Sequence, residues 1–123
     1  TVFKKDADFS NATFNGRVEF RCIFKFSVSF DKTEFNHSVG FWETEFIITE
    51  MENLEFFETK FKKADFEYNK IYKSLSFESC EGREYFQFMY NHFVQDNNMK
   101  KFCIRDCSFN GNVVFTRNFE IDV

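Results

Sequence analysis

The chain has 123 residues, a formal net charge of −4, no proline, four glycines and 22 phenylalanines, but two leucines, Leu54 and Leu75. That length fits one domain with a sizeable core. With 29% charged and 22% aromatic residues the composition excludes disorder and collagen, and its negative sign excludes a strongly basic nucleic-acid binder. There is no apolar run long enough for a transmembrane helix, and the start, TVFKKDADF, shows no apolar signal-peptide region.

In chain order, one large apolar residue recurs at Phe3, Phe9, Phe14, Phe20, Phe24, Phe30, Phe35, Phe41, Phe46, Met51, Phe56, Phe61, Phe66, Ile71 and Phe77, with a mean step of about 5.3 residues. Two residues before each stands a mostly small or β-branched partner, from Thr1, Ala7 and Ala12 through Cys22 and Thr33 to Asn69 and Leu75. The other positions are mostly Asp, Glu, Lys, Asn or Ser. The unit reads small–polar–Phe–polar–polar.

No single helix or flat strand can bury that pattern. A five-residue step turns a helix by about 500°, scattering the rings around every side. In a flat strand each odd step flips the side chain to the opposite surface. Both conflicts vanish if the backbone turns a corner once per unit, so that every Phe points at a common axis. About four units then close a coil, and coils stack through strand hydrogen bonds at about 4.8 Å per layer. The fold predicted is an all-β solenoid of about four to five coils, one domain over 1–123.

The stretches ADFSN-ATFNG (7–16) and TKFKK-ADFEY (59–68) resemble units of the pentapeptide-repeat proteins, with Phe at the centre where Leu is commoner in that family. The resemblance covers about residues 1–79 and 107–119. It implies a right-handed quadrilateral β-helix. Asn69 departs from the pattern, placing at a small-residue slot a polar group that needs a partner inside the coil.

Folded into fours, the list gives inward columns Phe9/Phe30/Met51/Ile71, Phe14/Phe35/Phe56/Phe77, Phe20/Phe41/Phe61 and Phe3/Phe24/Phe46/Phe66. Offset stacking along such columns offers a reason for Phe over Leu. On the same register Phe26, Ile48 and Tyr68, with Ile47 adjacent, form an apolar stripe on a polar exterior, to be covered either by an inserted segment or by a partner. Trp42, Phe57 and Tyr72 read as scattered single apolar residues.

Between Lys32 and Lys60 there is no Lys or Arg, while Glu34, Glu43, Glu45, Glu50, Glu52, Glu55 and Glu58 all fall there. Glu45, Glu50 and Glu55 precede successive inward positions and are expected on three consecutive faces of one coil, an acidic girdle. Lys60, Lys62, Lys63, Lys70 and Lys73 form a basic girdle after it.

The beat stops after Phe77. Within 82–105 the run Phe86, Met89, Tyr90, Phe93 follows i, i+3, i+4, i+7, which predicts an amphipathic helical insertion near 83–102. QDNN (95–98) reads as a turn, and Met99–Arg105 as a further helical turn. The helix is expected to pack on the stripe. Cys107-Ser108-Phe109 and Val113-Val114-Phe115 then resume the beat within 107–119. Thr1 already fills a small-residue slot, so the chain is expected to be a piece of a longer protein, or to cover an open end coil by end-to-end homodimerisation.

Chemistry is sparse. Cys22, Cys80 and Cys107 fall at or near small inward slots and read as buried thiols; Cys103 and Cys107 lack a second pair or a His cluster for zinc. Without a secretory context, unpaired thiols point to a reducing cytoplasm. His37 and His92 have no nucleophile or carboxylate beside them in sequence. Gly16, Gly40, Gly82 and Gly111 are isolated, forming no phosphate-cradling loop. No catalytic residue, metal or cofactor is assigned, and direct nucleic-acid binding is not expected. The reading is a non-enzymatic structural or protein-interaction module. The resemblance suggests the soluble domain of a larger bacterial, membrane-channel-like protein. The alternative it offers is a DNA-mimicking inhibitor of a type II topoisomerase, which would want acid along the whole rod.

Overall fold

A repeat that must bury one ring every five or so residues leaves room for short strands, and the computed structural model contains strands of two to nine residues paired in parallel. Residues 2–94 and 101–118 are described. They form a β-solenoid of about four turns. Face 1 stacks Val2–Phe3, Ile23–Phe24, Glu45–Phe46, Lys70–Ile71 and His92–Phe93. Face 2 carries Ala7–Asp8, Val28–Ser29, Asn53–Phe57, Ser74–Glu78 and Phe102–Arg105. Faces 3 and 4 are separate strands at the start, Thr13–Phe14 and Val18–Phe20, and again at the end, Ser108–Phe109 and Asn112–Thr116. In the middle coils single strands run across both: Glu34–Trp42, Lys60–Glu67 and Glu81–Met89. A register shift between Phe61 and Lys63 bends them at the shared corner.

Four columns set by register run along the interior, and the last member on face 2, Ile104, is exposed. They are Phe3/Phe24/Phe46/Ile71/Phe93 on face 1, Phe9/Phe30/Phe56/Phe77/Ile104 on face 2, Phe14/Phe35/Phe61/Gly82/Phe109 on face 3 and Phe20/Phe41/Phe66/Phe88/Phe115 on face 4. Up to Phe77 rings stack nearly parallel within a column, as at Phe41–Phe66 (4.6 Å, 6°) and Phe56–Phe77 (5.0 Å, 14°), whereas Phe66–Phe88 and Phe88–Phe115 tilt by 39° and 32°. Between columns they meet edge to face, as at Phe30–Phe41 (5.4 Å, 87°). One residue type thus supplies both favoured aromatic geometries. Phe20, Phe24, Phe30, Phe35, Phe41, Phe46, Phe56, Phe61, Phe66, Ile71 and Phe77 are buried, and Phe9 and Phe14 are half-buried against them.

The structure corrects the expected columns beyond Phe46. Met51 does not belong to one. Residues 47–51 make an extra excursion at the corner between faces 1 and 2, closed by a 3.1 Å bond from Met51 N–H to the Ile48 carbonyl. Met51 is half-buried against the core, and Phe56, not Met51, stacks on Phe30 at 5.2 Å. The excursion is as long as the repeat, so the five-residue beat runs through it unbroken while every later column moves round by one face.

The predicted helical insertion is also absent: the described part of 82–105 is strand, at Glu81–Met89, His92–Phe93 and Phe102–Arg105. QDNN (95–98) and residues 99–100 lie outside the described residues. The beat is disguised there by two exchanges of size. Gly82 takes a large-residue slot, and the Phe109 ring fills its space, lying 2.5 Å from where a Cβ would stand. Phe86 in turn takes a small-residue slot and lies 5.6 Å from Phe61. Phe86 and Phe93 are buried, but Met89 and Tyr90, which completed the helical pattern, lie on the outer side.

Candidate interaction face

The corner between faces 4 and 1 is set by a buried polar column. Thr44, Asn69 and Asn91 stack one per coil and are 0–1% exposed, with half-buried Asn118 beyond. Asn69 Nδ2 donates to the Phe41 carbonyl and to Asn91 Oδ1, both at 2.8 Å, and Asn69 Oδ1 accepts the Thr44 backbone N–H at 2.9 Å. Asn91 Nδ2 donates to the Phe66 carbonyl (2.9 Å) and Asn118 Oδ1 (3.1 Å). The Thr44 hydroxyl donates to the Phe20 carbonyl at 2.6 Å. These bonds satisfy backbone groups that the turn would otherwise leave orphaned indoors. The corner between faces 2 and 3 repeats the device with Thr33, Thr59, Cys80 and Cys107, whose hydroxyls or thiols donate to the Phe9, Phe30, Phe56 and Phe77 carbonyls.

Immediately before each ladder residue the backbone is left-handed, and that residue projects outward. At the corner between faces 4 and 1 these are Glu43 (φ 54°), Tyr68 (58°), Tyr90 (57°) and Arg117 (56°). Tyr68 and Tyr90 stack at 5.1 Å with planes 3° apart, and Tyr68 is 58% exposed. The Arg117 guanidinium sits 5.5 Å above the Tyr90 ring and donates to its hydroxyl. In the first coils Arg21 lies 3.9 Å from Glu43 and 5.6 Å over the Trp42 ring. Trp42 lies flat on the sheet because Gly40 has no Cβ: one there would stand 2.4 Å from the indole.

The outer side of face 4 therefore carries Arg17, Trp42, Tyr85 and Met89, with Tyr68, Tyr90 and Arg117 along its trailing edge. Beyond that edge, face 1 continues with half-buried Ile23, Ile47, Tyr72 and Val94 and exposed Val2. Tyr, Trp, Met and Arg are the types enriched at protein interfaces, and a stacked, exposed pair presents them at low entropic cost.

Asp65 is the electrostatic outlier on this face. It pairs in register with Gly40 below and Gln87 above, and its Oδ1 is buried without a hydrogen-bond partner. Burial pushes its carboxyl up to about 6, nearby Glu67 adds to this, and a hydrogen bond from the Trp42 side chain opposes it. Burial, with Asp65 and Glu67 nearby, also raises the Tyr85 phenol.

The expected stripe is not continuous. Phe26 and Ile48 stand at the corner between faces 1 and 2, Tyr68 at the one between faces 4 and 1, as the displaced register requires. Ile48 is buried rather than outward, with φ 42°, an unusual conformation for a β-branched residue. Of the expected girdle, Glu45 is on face 1 and Glu55 on face 2 of the same coil, with Glu50 in the excursion at the corner between them, so the three span two faces rather than three. Acid and base interleave between coils, with Lys60 bonded to Glu34 at 3.4 Å and Lys70 in register between Glu45 and His92. Acid does gather on face 2, where burial and contacts with Glu78 and Asp31 raise the Glu55 carboxyl.

Cys22, Cys80, Cys103 and Cys107 are unpaired thiols; burial pushes Cys22 to about 11 and Cys80 to about 12. His37 is exposed and bonds Ser38. Among the described residues no three His, Cys, Asp or Glu side chains are placed to share a metal ion. No described helix is long and apolar enough to cross a membrane.

Sequence reasoning passed over Trp42, Asp65, Tyr85, Tyr90, Asn91 and Asn118. A signal was present: Tyr-Asn occurs at 68–69 and again at 90–91, one coil apart, and Arg117-Asn118 occupies the next coil. Compared with family models, curated proteins and solved structures, the chain matches none.

Proposed function

We propose that this chain is a non-enzymatic protein-interaction module of the pentapeptide-repeat type, working in the cytoplasm as the soluble domain of a larger bacterial, membrane-channel-like protein. The observation that carries the interaction reading is the Tyr68–Tyr90 stack, its Tyr68 ring exposed and its Tyr90 ring capped by Arg117, on a solenoid whose interior is filled mainly by phenylalanine rings. The rigid ladder beneath fixes these side chains before any partner arrives, lowering the entropic cost of docking. Interleaved charge supports this reading over DNA mimicry, which needs an unbroken acidic rod.

The test is photocrosslinking in cells of the source organism, with benzoylphenylalanine placed at Tyr68, Tyr90 or, as a control on face 3, the exposed Lys60. The expected result is one and the same protein crosslinked from positions 68 and 90 and absent from 60. No crosslinked protein, or the same set from all three, overturns the reading.

A further inference from the structure

A cleft of about 160 Å³ opens on face 4, lined by Arg17, Gly40, Trp42, Lys63, Asp65 and Tyr85. The indole lies on the backbone at Gly40, and the Asp65 carboxylate, bonded by the Trp42 side chain, lines the cleft with its Oδ1 buried and unpartnered. Two cations line the rim but are directed elsewhere: Lys63 Nζ is 3.9 Å from Glu84, and Arg17 is 3.9 Å from Glu19. Glu67 on the same strand and Tyr85 on the next lie close enough to raise or respond to the Asp65 charge.

Around the cleft the four carboxylates of Asp65, Glu67, Glu84 and Glu19 outnumber the three cations Arg17, Lys63 and Arg21, the last lying over Trp42 and 3.9 Å from Glu19, so an anion entering here meets net repulsion. A flat cation meets the reverse: a buried acceptor lacking a donor and a wall of indole and phenol edges. The guanidinium matches this better than an ammonium, being planar, weakly hydrated and able to present two parallel N–H donors. We infer that the cleft receives the guanidinium of an arginine side chain on the module's protein partner, held by Asp65 between Trp42 and Tyr85. This rests on the interaction reading and adds to it the chemical identity of one anchoring residue.

Trp42 is the sole tryptophan of the chain and borders the cleft, so its fluorescence reports occupancy. The probes are N-acetyl-arginine methylamide, its lysine counterpart and its alanine counterpart. A single side chain should bind with a Kd on the order of 1–10 mM. The expected result is a saturable change with the arginine probe, weaker with lysine and absent with alanine. Binding should weaken about tenfold from pH 7.5 to pH 5 as Asp65 takes up a proton; the other charged groups around it are Glu19, Glu67, Glu84, Arg17, Arg21 and Lys63. Asp65→Asn should abolish saturation while its circular dichroism stays that of the wild type; Glu67→Gln should reduce affinity severalfold and serves if Asp65→Asn misfolds. No saturation, a pH-independent response, or an equal response in Asp65→Asn or Glu67→Gln overturns the inference. Saturation here with no crosslinking from Tyr68 would sink the interaction reading alone, and the opposite pair of results this inference alone.

Discussion

Asn69 and Asn91 lie one coil apart with side chains in contact, Asn69 Nδ2 donating to Asn91 Oδ1 at 2.8 Å, and each also donates to a carbonyl of the preceding coil. Asn91 thus serves two backbone groups and one side chain: its own donor satisfies the Phe66 carbonyl, and its oxygen accepts both the side-chain and the backbone N–H of Asn69. Replacing it by Ala leaves a buried carbonyl and a buried N–H unpaired, each costing about 1–3 kcal/mol. Asn91→Ala should lower stability by about 2–4 kcal/mol in urea unfolding, and Asn118→Ala, half-buried at the column's end, by about 1.

The observed register separates two residues that the repeat treats alike. Phe56 is fully buried and stacks on both Phe30 and Phe77, whereas Met51 sits in the excursion outside every column. Phe56→Ala should cost about 3–5 kcal/mol and Met51→Ala under about 1.5. Equal losses in equilibrium unfolding would return Met51 to the core.

Among the described residues ten non-glycine residues hold left-handed backbone, five of them along the corner between faces 2 and 3: Asn11, Lys32, Glu58, Ser79 and Asp106. An L-residue with a Cβ stands there at a cost of about 1–2 kcal/mol, which glycine avoids at some loss of unfolded-state advantage. Lys32→Gly, at an exposed site with φ 57°, should therefore stabilise by about 0.5–1 kcal/mol. Ile48→Gly should do the reverse, because it removes a buried side chain along with the strain. Thermal midpoints of the two variants should move in opposite directions.

Asp65 gives the fold a pH dependence of definite sign. Its carboxyl is raised from 3.8 to about 6, so the native state holds a proton that the unfolded chain has released. The resulting stabilisation is complete below about pH 4 and is lost as pH rises through 6. Asp65→Asn, neutral throughout, should match the wild type at pH 4 and exceed it at pH 7.5. The linkage ceiling is about 3 kcal/mol, and half-burial brings the expected gain nearer 1. A constant difference between pH 4 and 7.5 in unfolding titrations would contradict this.

How much of this could be read from the residues follows from what a spacing can encode. Phe9, Phe30 and their neighbours repeat a single environment, so the inward axis and the stacked coils were legible. The phase was not: residues 47–51 add one whole period, and a count in fives cannot distinguish such an addition from a further side of the coil. That one ambiguity moved Tyr68 to the wrong corner and spread Glu45, Glu50 and Glu55 over three faces where they occupy two and the corner between. The helix was predicted at 83–102 because Gly82 and Phe86 exchange sizes, a trade that depends on Phe109 from the next coil. The face 4 cleft depends on register across three coils, which brings Trp42, Asp65 and Tyr85 together from positions that share no local pattern. The Tyr-Asn dipeptides were readable once Asn69 was asked for its partner.

The excursion at 47–51 has one more meaning. Its Thr49 and Glu50 N–H groups donate to the Lys25 and Phe26 carbonyls of the coil below, and face 2 resumes with Phe56 above Phe30, so both flanks of an insertion there would be anchored. A foreign peptide spliced between Thr49 and Glu50, both exposed, would hang from a rigid post whose other edges stay smooth. The same solenoid could then display a new epitope while keeping its tyrosine edge intact.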